Sequence, residues 1–112
     1  MSERVVDIGD KLHIITRRRF DGDVRRHFAG EVTGCTGDLY ELRGYEFVFS
    51  SGSNEYKRRP ELRTRLFSLG EEGFIVTKIS RHIDIESLEY RFLEKRRVVT
   101  DRKAFTLDIN EF

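Results

Sequence analysis

HFAGEVTGCTGDLYELRGYEFVF, residues 27–49, decides the fold together with the flanking stretches LHIIT (12–16) and RTRLFSL (63–69). β-branched and aromatic residues are frequent in all three, and apolar positions recur at a period of two. In the first stretch Leu12 and Ile14 fall on one face, while His13 and Ile15 fall on the other. The region from Leu12 to Leu69 therefore predicts a β-sheet.

Glycines in the middle stretch predict sharp bending. Gly30 and Gly34 share a face with Phe28 and Val32, and glycines on the core side of a strand suit a tightly bent sheet. The apolar phase then changes, from even positions up to Leu42 to odd positions from Tyr45 onward. One extra residue near 43–44 would restore the phase, so the pattern predicts a β-bulge there.

Turn residues divide the remaining chain into further strands. Asp21-Gly22 predicts a hairpin between the first two strands, and residues 70–73 predict one between 63–69 and 74–79. The segment 50–59 is polar and predicts a loop. Asp84 is expected to cap one short helical turn, and alternating residues from Leu88 to Ile109 predict a three-stranded meander.

The order of these elements over residues 11–79 resembles the Sm-like small β-barrel, an SH3-type fold. The resemblance implies a small, strongly bent five-stranded barrel at 10–80. Together with the meander that alternation predicts, as a C-terminal β-extension at 81–112, we expect an all-β chain that forms one domain spanning 1–112. The same pattern also fits an SH3-like barrel or a partly open OB-like barrel. Sm-like proteins carry an Asp-containing loop after the second strand and an Arg-Gly pair before the last, but this chain has Gly37-Asp38 and Gly70-Glu71 at those turns. No RNA-binding residue is therefore transferred from the family.

Two arginine-rich segments are the candidate binding site. Guanidinium groups bind phosphates bidentately, and an aromatic ring beside them can stack on a base. The alternative is that charged loops keep a small β-protein soluble and protect its sheet edges. The candidate nucleic-acid-binding residues are Arg17, Arg18, Arg19, Arg25, Arg26, Tyr56, Lys57, Arg58 and Arg59.

Motifs for catalysis or metal binding do not stand out in the sequence. The three histidines lack zinc-ligand spacing, and Asp21-Gly22-Asp23 lacks the other ligands of a calcium loop. His13 and His27 could face each other across the first hairpin, which cross-strand packing would explain. The sequence gives no phosphate loop or activated nucleophile. We therefore expect no cofactor and no metal, and we have no reason to propose an enzyme.

Composition bounds the functional class only loosely. The 112 residues are 38% hydrophobic and 37% charged, with a formal net charge of +1, so no strong overall field marks a nucleic-acid protein. The single cysteine precludes an intramolecular disulfide, and no segment has signal-peptide or membrane-spanning character. We expect a cytoplasmic protein without a membrane partner.

The leading expectation is a non-catalytic binding module whose ligand is RNA or another single-stranded nucleic acid. The alternative is a structural homo-oligomer or protein-interaction module that uses exposed edge strands, because an open sheet offers unpaired backbone groups to a second chain.

Overall fold

A computed structural model describes residues 5–16, 25–50, 52–53, 55–70, 73–93 and 95–109. These residues form nine strands and one 3₁₀ helix, so the predicted all-β class and its single helical turn are confirmed. The 3₁₀ helix is Ile85–Ser87, and Asp84 caps it by accepting a hydrogen bond from the backbone N–H of Glu86. The strands are β1 (Lys11–Thr16), β2 (Arg26–Thr36), β3 (Leu39–Ser50), β4 (Glu55–Arg58), β5 (Arg63–Ser68), β6 (Phe74–Ile79), β7 (Glu89–Leu93), β8 (Arg96–Thr100) and β9 (Thr106–Asp108).

Strands β1 to β6 form one antiparallel sheet in which β3 is the longest strand. The order runs β4-β3-β2-β1-β6, and β5 also pairs with β3. The first half of β3 pairs with β5 and its second half pairs with β4. β3 therefore has different neighbours at its two ends, and the sheet divides around it.

One face of this sheet, which we call the inner face, holds a compact apolar cluster. Leu12 and Ile14 of β1 are completely buried there. Phe67 on β5 and Phe74 on β6 come from opposite ends of the sheet, yet their ring centroids are 5.7 Å apart. The sheet therefore curls around the inner face. The other buried members of the cluster are Phe28, Val32 and Leu42.

The opposite face, which we call the outer face, is covered by a second sheet with the order β7-β8-β9. Phe47 of β3 and Val99 of β8 are almost fully buried between the two sheets. The predicted C-terminal meander is thus present, and it packs on the first sheet. The other buried members of this core are Ile15, Ala29, Tyr56, Ile79, Ile83, Ile85, Leu88 and Ile109.

The predicted bulge near residues 43–44 is wrong. β3 pairs with β2 continuously through this region, and the register shift lies in β2 between Val32 and Gly34. The phase of β3 changes because its two halves bury different faces. Leu42 packs on the inner face, whereas Tyr45 and Phe47 pack on the outer face.

Two further expectations about strands need correction. Residues 63–69 and 74–79 were expected to form a hairpin, but β5 pairs with β3 and β6 pairs with β1. Across the described residues no ladder joins β5 to β6, so a closed barrel is not shown. The segment expected to be a polar loop contains β4.

The predicted pairing of β1 with β2 is confirmed, whereas the Asp21-Gly22 turn lies outside the described residues. Among those residues, no helix is long and apolar enough to cross a bilayer.

Candidate functional site

An open cleft of about 570 Å³ lies where β4 of the first sheet meets β7 and β8 of the second. We call it the β4–β7 cleft. Its volume falls within the range of ligand-binding pockets in proteins. It is lined by Ser53, Glu55, Tyr56, Glu89, Tyr90, Arg91, Phe92, Arg97 and Arg102.

Two stacked tyrosines form one wall of the cleft. Tyr56 of β4 lies opposite Phe49 of β3, and alternation along both strands points the two rings to the outer face. Tyr90 of β7 comes from the second sheet, and its ring centroid lies 4.7 Å from that of Tyr56 with an interplanar angle of 27°. The wall therefore joins the two sheets through aromatic contact.

The face of the second sheet that carries Tyr90 becomes solvent-accessible toward the cleft. Tyr90 is paired with Val99, and two residues along β7 Phe92 is paired with Arg97. Val99 is completely buried, whereas Phe92 is 65% exposed. The cleft is thus the open end of the core between the sheets, and it presents an aromatic ring to solvent.

Arginines lie over the ring of Tyr56, which lines the cleft, and over the ring of its neighbour Phe49. The guanidinium carbon of Arg97 is 5.5 Å from the ring centroid of Phe49 and 5.6 Å from that of Tyr56. Arg25 lies 5.6 Å from the ring of Phe49 on the same side. These are cation–π distances, and they place positive charge directly beside stacked aromatic surface.

Glu89 partly neutralises this positive charge. Its carboxylate accepts a hydrogen bond from Nε of Arg102, and the Nη1 of Arg91 lies 3.6 Å from the same oxygen. The lining contains three arginines and two glutamates, which leaves one positive charge in excess. Each of these exposed ion pairs contributes only about 0–1 kcal/mol, so an incoming anion can displace Glu89.

Behind the tyrosine wall, the hydroxyl of Tyr90 lies between two histidines. It is 2.7 Å from Nε2 of His13 on β1 and 2.5 Å from Nδ1 of His27 on β2. Both imidazoles are on the outer face, with 0% and 3% exposure respectively. The predicted proximity of the two histidines is confirmed, and their ring centroids are 5.2 Å apart. The third partner comes from a distant part of the chain, 63 residues after His27.

Burial dominates the titration of this group. It lowers the pKa of His13 to about 4. Burial also lowers the pKa of His27, with smaller contributions from the positive charges of His13, Arg25 and Arg97, to about 3. The pKa of the Tyr90 hydroxyl is raised well above its usual value, again mainly by burial. All three groups are therefore neutral near pH 7.

The predicted binding residues do not form one patch. Tyr56 lines the cleft, and Arg25 lies beside it on the outer face. Arg58 also lies on the outer face, where its guanidinium carbon is 4.8 Å from the ring of Tyr45. Arg17, Arg18 and Arg19 lie outside the described residues.

The other predicted cations are placed elsewhere. Arg26 and Lys57 lie on the inner-face side of their strands, one position from the outer-face residues His27 and Tyr56. Arg26 forms a 2.6 Å ion pair with the buried Glu46. Arg59 follows β4, and its backbone N–H donates to the carbonyl of Glu46. None of these three residues lines the cleft.

Sequence reasoning missed the half of the cleft that the second sheet supplies. The alternation of Tyr90 and Phe92 with Glu89 and Arg91 was visible, but it indicated only a strand. Nothing local to either segment shows that β7 packs beside β4. Among the described residues, no group of three or more His, Cys, Asp or Glu side chains could hold a metal ion. Comparison of the chain with protein-family models, with curated proteins and with solved structures finds no match.

Proposed function

We propose that this protein is a non-catalytic binding module for single-stranded nucleic acid, RNA in particular, and that the β4–β7 cleft is its binding site. The observation that supports this proposal is the stacked pair Tyr56–Tyr90 with the exposed Phe92, set among three arginines. Aromatic faces accept any base, and arginines pair with the phosphates on either side of it. The cleft combines both kinds of group.

Binding fits the site better than catalysis does. The groups that could transfer protons are the two imidazoles and the Tyr90 hydroxyl, and they lie behind the tyrosine wall. The solvent-facing side of the cleft has the exposed ring of Phe92, guanidinium groups and the carboxylate of Glu89, which is already paired with arginines. We also propose, as the sequence indicated, that the curled first sheet is an open relative of the Sm-like barrel and that the protein is cytoplasmic.

Fluorescence anisotropy with a short labelled oligouridylate tests the cleft. Affinity should fall steeply as salt rises, with a log–log slope of about −0.7 for each phosphate that is neutralised. The double variant R91Q/R102Q should weaken binding by about tenfold or more. Its matched control is R43Q/R63Q, which removes the same charge from β3 and β5, away from the cleft. Equal losses in both double variants would reduce the effect to net charge and exclude the cleft.

The first arginine segment is tested separately. Replacing Arg17, Arg18 and Arg19 by glutamate should abolish binding without unfolding the protein if that segment extends the phosphate path toward Arg25. Circular dichroism checks the fold. If the folded triple variant keeps its affinity, these three arginines are not part of the site, and the cleft variants alone define it.

A second candidate function rests on the edges of the first sheet. β5 and β6 each have one ladder in the described part of the chain, and a groove of about 280 Å³ lies between them. Leu66 on β5 is 62% exposed and Val76 on β6 is 37% exposed. Unpaired edges with apolar side chains favour strand addition, which supports a homo-oligomer or a protein-interaction module.

Sedimentation at increasing protein concentration tests this alternative. Assembly that depends on concentration and is lost in L66K supports it, provided that L93K, an equally polar change on β7, still assembles. A monomer at all concentrations would exclude the homo-oligomer.

A further inference from the structure

The contact of His13 and His27 with Tyr90 is a polar link between the two sheets inside an otherwise apolar core. The histidines are on neighbouring strands of the first sheet, and the tyrosine belongs to the second. Phe47 and Val99, which are almost fully buried, share this core. We call the three side chains the His–Tyr–His latch.

The latch fixes where its protons are. The Tyr90 hydroxyl has one hydrogen, so it donates to one imidazole and accepts from the other. Nδ1 of His13 is buried without a hydrogen-bond partner among the described residues. An unpaired lone pair there costs less than an unpaired N–H. Nε2 of His13 therefore donates to Tyr90, and Tyr90 donates to Nδ1 of His27, with both rings neutral.

An added proton does not fit this arrangement. On His27 it would place an N–H against the hydroxyl hydrogen of Tyr90, and on His13 it would leave a buried cation without a partner. The surroundings do not compensate, because no carboxylate is among the described residues that face the rings. The charged and polar residues among them are Arg25 before β2, Tyr56 on β4, Thr77 on β6, Tyr90 on β7 and Arg97 on β8, and β3 contributes the apolar Phe47.

The latch is directly connected to the β4–β7 cleft. Tyr90 is both a member of the latch and half of the tyrosine wall. Its neighbours along β7, from Glu89 to Phe92, line the cleft. Release of the Tyr90 hydroxyl would remove the polar attachment of β7 to the first sheet, so that the strand that supplies the cleft's second side would be held by its ladder with β8 and by aromatic contacts.

We propose that the His–Tyr–His latch is an acid-sensitive device that holds β7 against the first sheet, and that protonation of its histidines opens the β4–β7 cleft and releases bound nucleic acid. The loss of ligand rests on the binding function proposed above, whereas the opening of the latch does not.

The direction in which affinity changes with pH distinguishes opening of the latch from direct attraction between charged histidine and phosphate. Opening exposes two imidazoles that take up protons below about pH 6.5, so the opening equilibrium should rise by up to about 100-fold per pH unit below that value. Affinity for a polyanion should then fall. Additional positive charge on histidine would by itself strengthen phosphate binding as the pH falls. A decrease in affinity as the pH falls therefore cannot come from the positive charge that the histidines gain.

The decisive variant keeps the hydrogen bonds and removes the titration. In H13Q the amide can replace Nε2, and in H27N it can replace Nδ1, while neither amide ionises in this range. Binding of labelled oligouridylate is measured from about pH 7.5 to about pH 4.5. The wild-type protein should lose at least about tenfold in affinity, and H13Q/H27N should change by less than about twofold.

Imidazole and backbone NMR of the ligand-free protein gives a second, independent readout. An H82N background removes the third histidine, which is exposed. As the pH falls below about 6.5, protonation of His13 and His27 should coincide with shifts of the β7 amides. Protonation without any change in β7 would overturn the latch.

The two readouts separate the possible failures. Equal pH dependence of binding in wild type and H13Q/H27N would overturn the latch while leaving the binding function intact. If no oligouridylate binds at any pH, the binding function fails, and the NMR titration alone decides the latch. The same titration decides it if H13Q/H27N does not fold.

Discussion

Gly44 shows how a single residue determines how closely two strands of this sheet can approach. It lies opposite Gly30 on β2, and a Cβ added to it would be 2.0 Å from the carbonyl oxygen of Ala29. We predict that G44A lowers the free energy of unfolding by about 3 kcal/mol or more, because the obstructing atom is backbone and cannot rotate away. Urea denaturation measures this loss. G52A is the matched control, with only a side-chain oxygen 4.0 Å away, and it should change stability by less than about 0.5 kcal/mol.

In the binding site that we propose, Glu89 is the carboxylate that pairs with two of the lining arginines. Its carboxylate holds Arg91 and Arg102 in ion pairs. We predict that E89Q tightens oligouridylate binding about two- to fivefold, because one repulsive charge is removed and two guanidinium groups are released. Anisotropy at low salt measures the change. E61Q breaks a similar exposed pair with Arg63, also 3.6 Å long, and should leave the affinity unchanged.

Residue patterns predicted which side of each strand is apolar better than they predicted which strands and sheets contact one another. The glycines of β2 and β3 indicated bending, whereas the structure shows that Gly30 and Gly44 allow their strands to approach closely, and Gly44 was assigned to a bulge that does not exist. Alternation records which side of a strand is apolar and not which layer covers it. The first half of β3 buries its inner face and the second half buries its outer face. The resulting change of phase has the same sequence pattern as an inserted residue.

At the scale of elements, the turn between β8 and β9 depends on one carboxylate. Oδ1 of Asp101 accepts hydrogen bonds from the backbone N–H groups of Lys103, Ala104 and Phe105, at 2.9, 3.0 and 2.9 Å. We predict that D101A lowers the thermal midpoint and loosens β9, measured by amide hydrogen exchange. D101N should retain most of the protection, because its amide oxygen can still accept. Equal protection of β9 in wild type and D101A would contradict this role.

The strands themselves were predictable where alternation was clean, as in β1, β2 and the C-terminal meander. β4 was missed because its four residues include three charged side chains and only Tyr56 is buried. The pairing of β5 and β6 was mistaken because turn chemistry favoured a hairpin, whereas the structure gives each strand a different neighbour. Strand pairing over long separations is decided by the burial of both faces, and no local pattern contains that information.

At the scale of the whole molecule, the candidate site exists only because two sheets meet. β4 contributes Tyr56, β7 contributes Tyr90, and the latch adds histidines from β1 and β2. Sequence reasoning identified Tyr56 and the proximity of the two histidines, since both lie within the first sheet. It could not identify Tyr90, because the contacts of Tyr90 with Tyr56, His27 and His13 join residues 34, 63 and 77 positions apart.

This arrangement predicts how stability depends on pH. The folded pKa values of about 4 for His13 and about 3 for His27 lie below the unfolded value of about 6.5. The unfolded chain therefore binds more protons, and the free energy of unfolding falls as pH decreases from about 6.5. Each histidine contributes about 1.4 kcal/mol per pH unit until its folded pKa is reached. Urea denaturation between about pH 7.5 and 4.5 should show this loss.

Two variants separate the histidines from the other titrating groups. Hydrogen bonds from backbone N–H groups hold the pKa of the Asp10 and Asp101 carboxyls below the usual value of 3.8. Burial raises the pKa of Glu46, but Arg26 and Arg65 outweigh it and hold that pKa below 4.5. The stability that these three carboxylates contribute is therefore lost mainly below about pH 4.5. H13Q/H27N should therefore be nearly flat between about pH 6.5 and 4.5. Y90F should lose about 1–3 kcal/mol at pH 7.5, because both imidazoles lose their partner, yet keep the wild-type slope while they stay buried. A flat wild-type profile would mean that the histidines are hydrated in the folded protein. A flattened Y90F profile would mean that the hydroxyl of Tyr90, and not burial alone, keeps the two rings neutral.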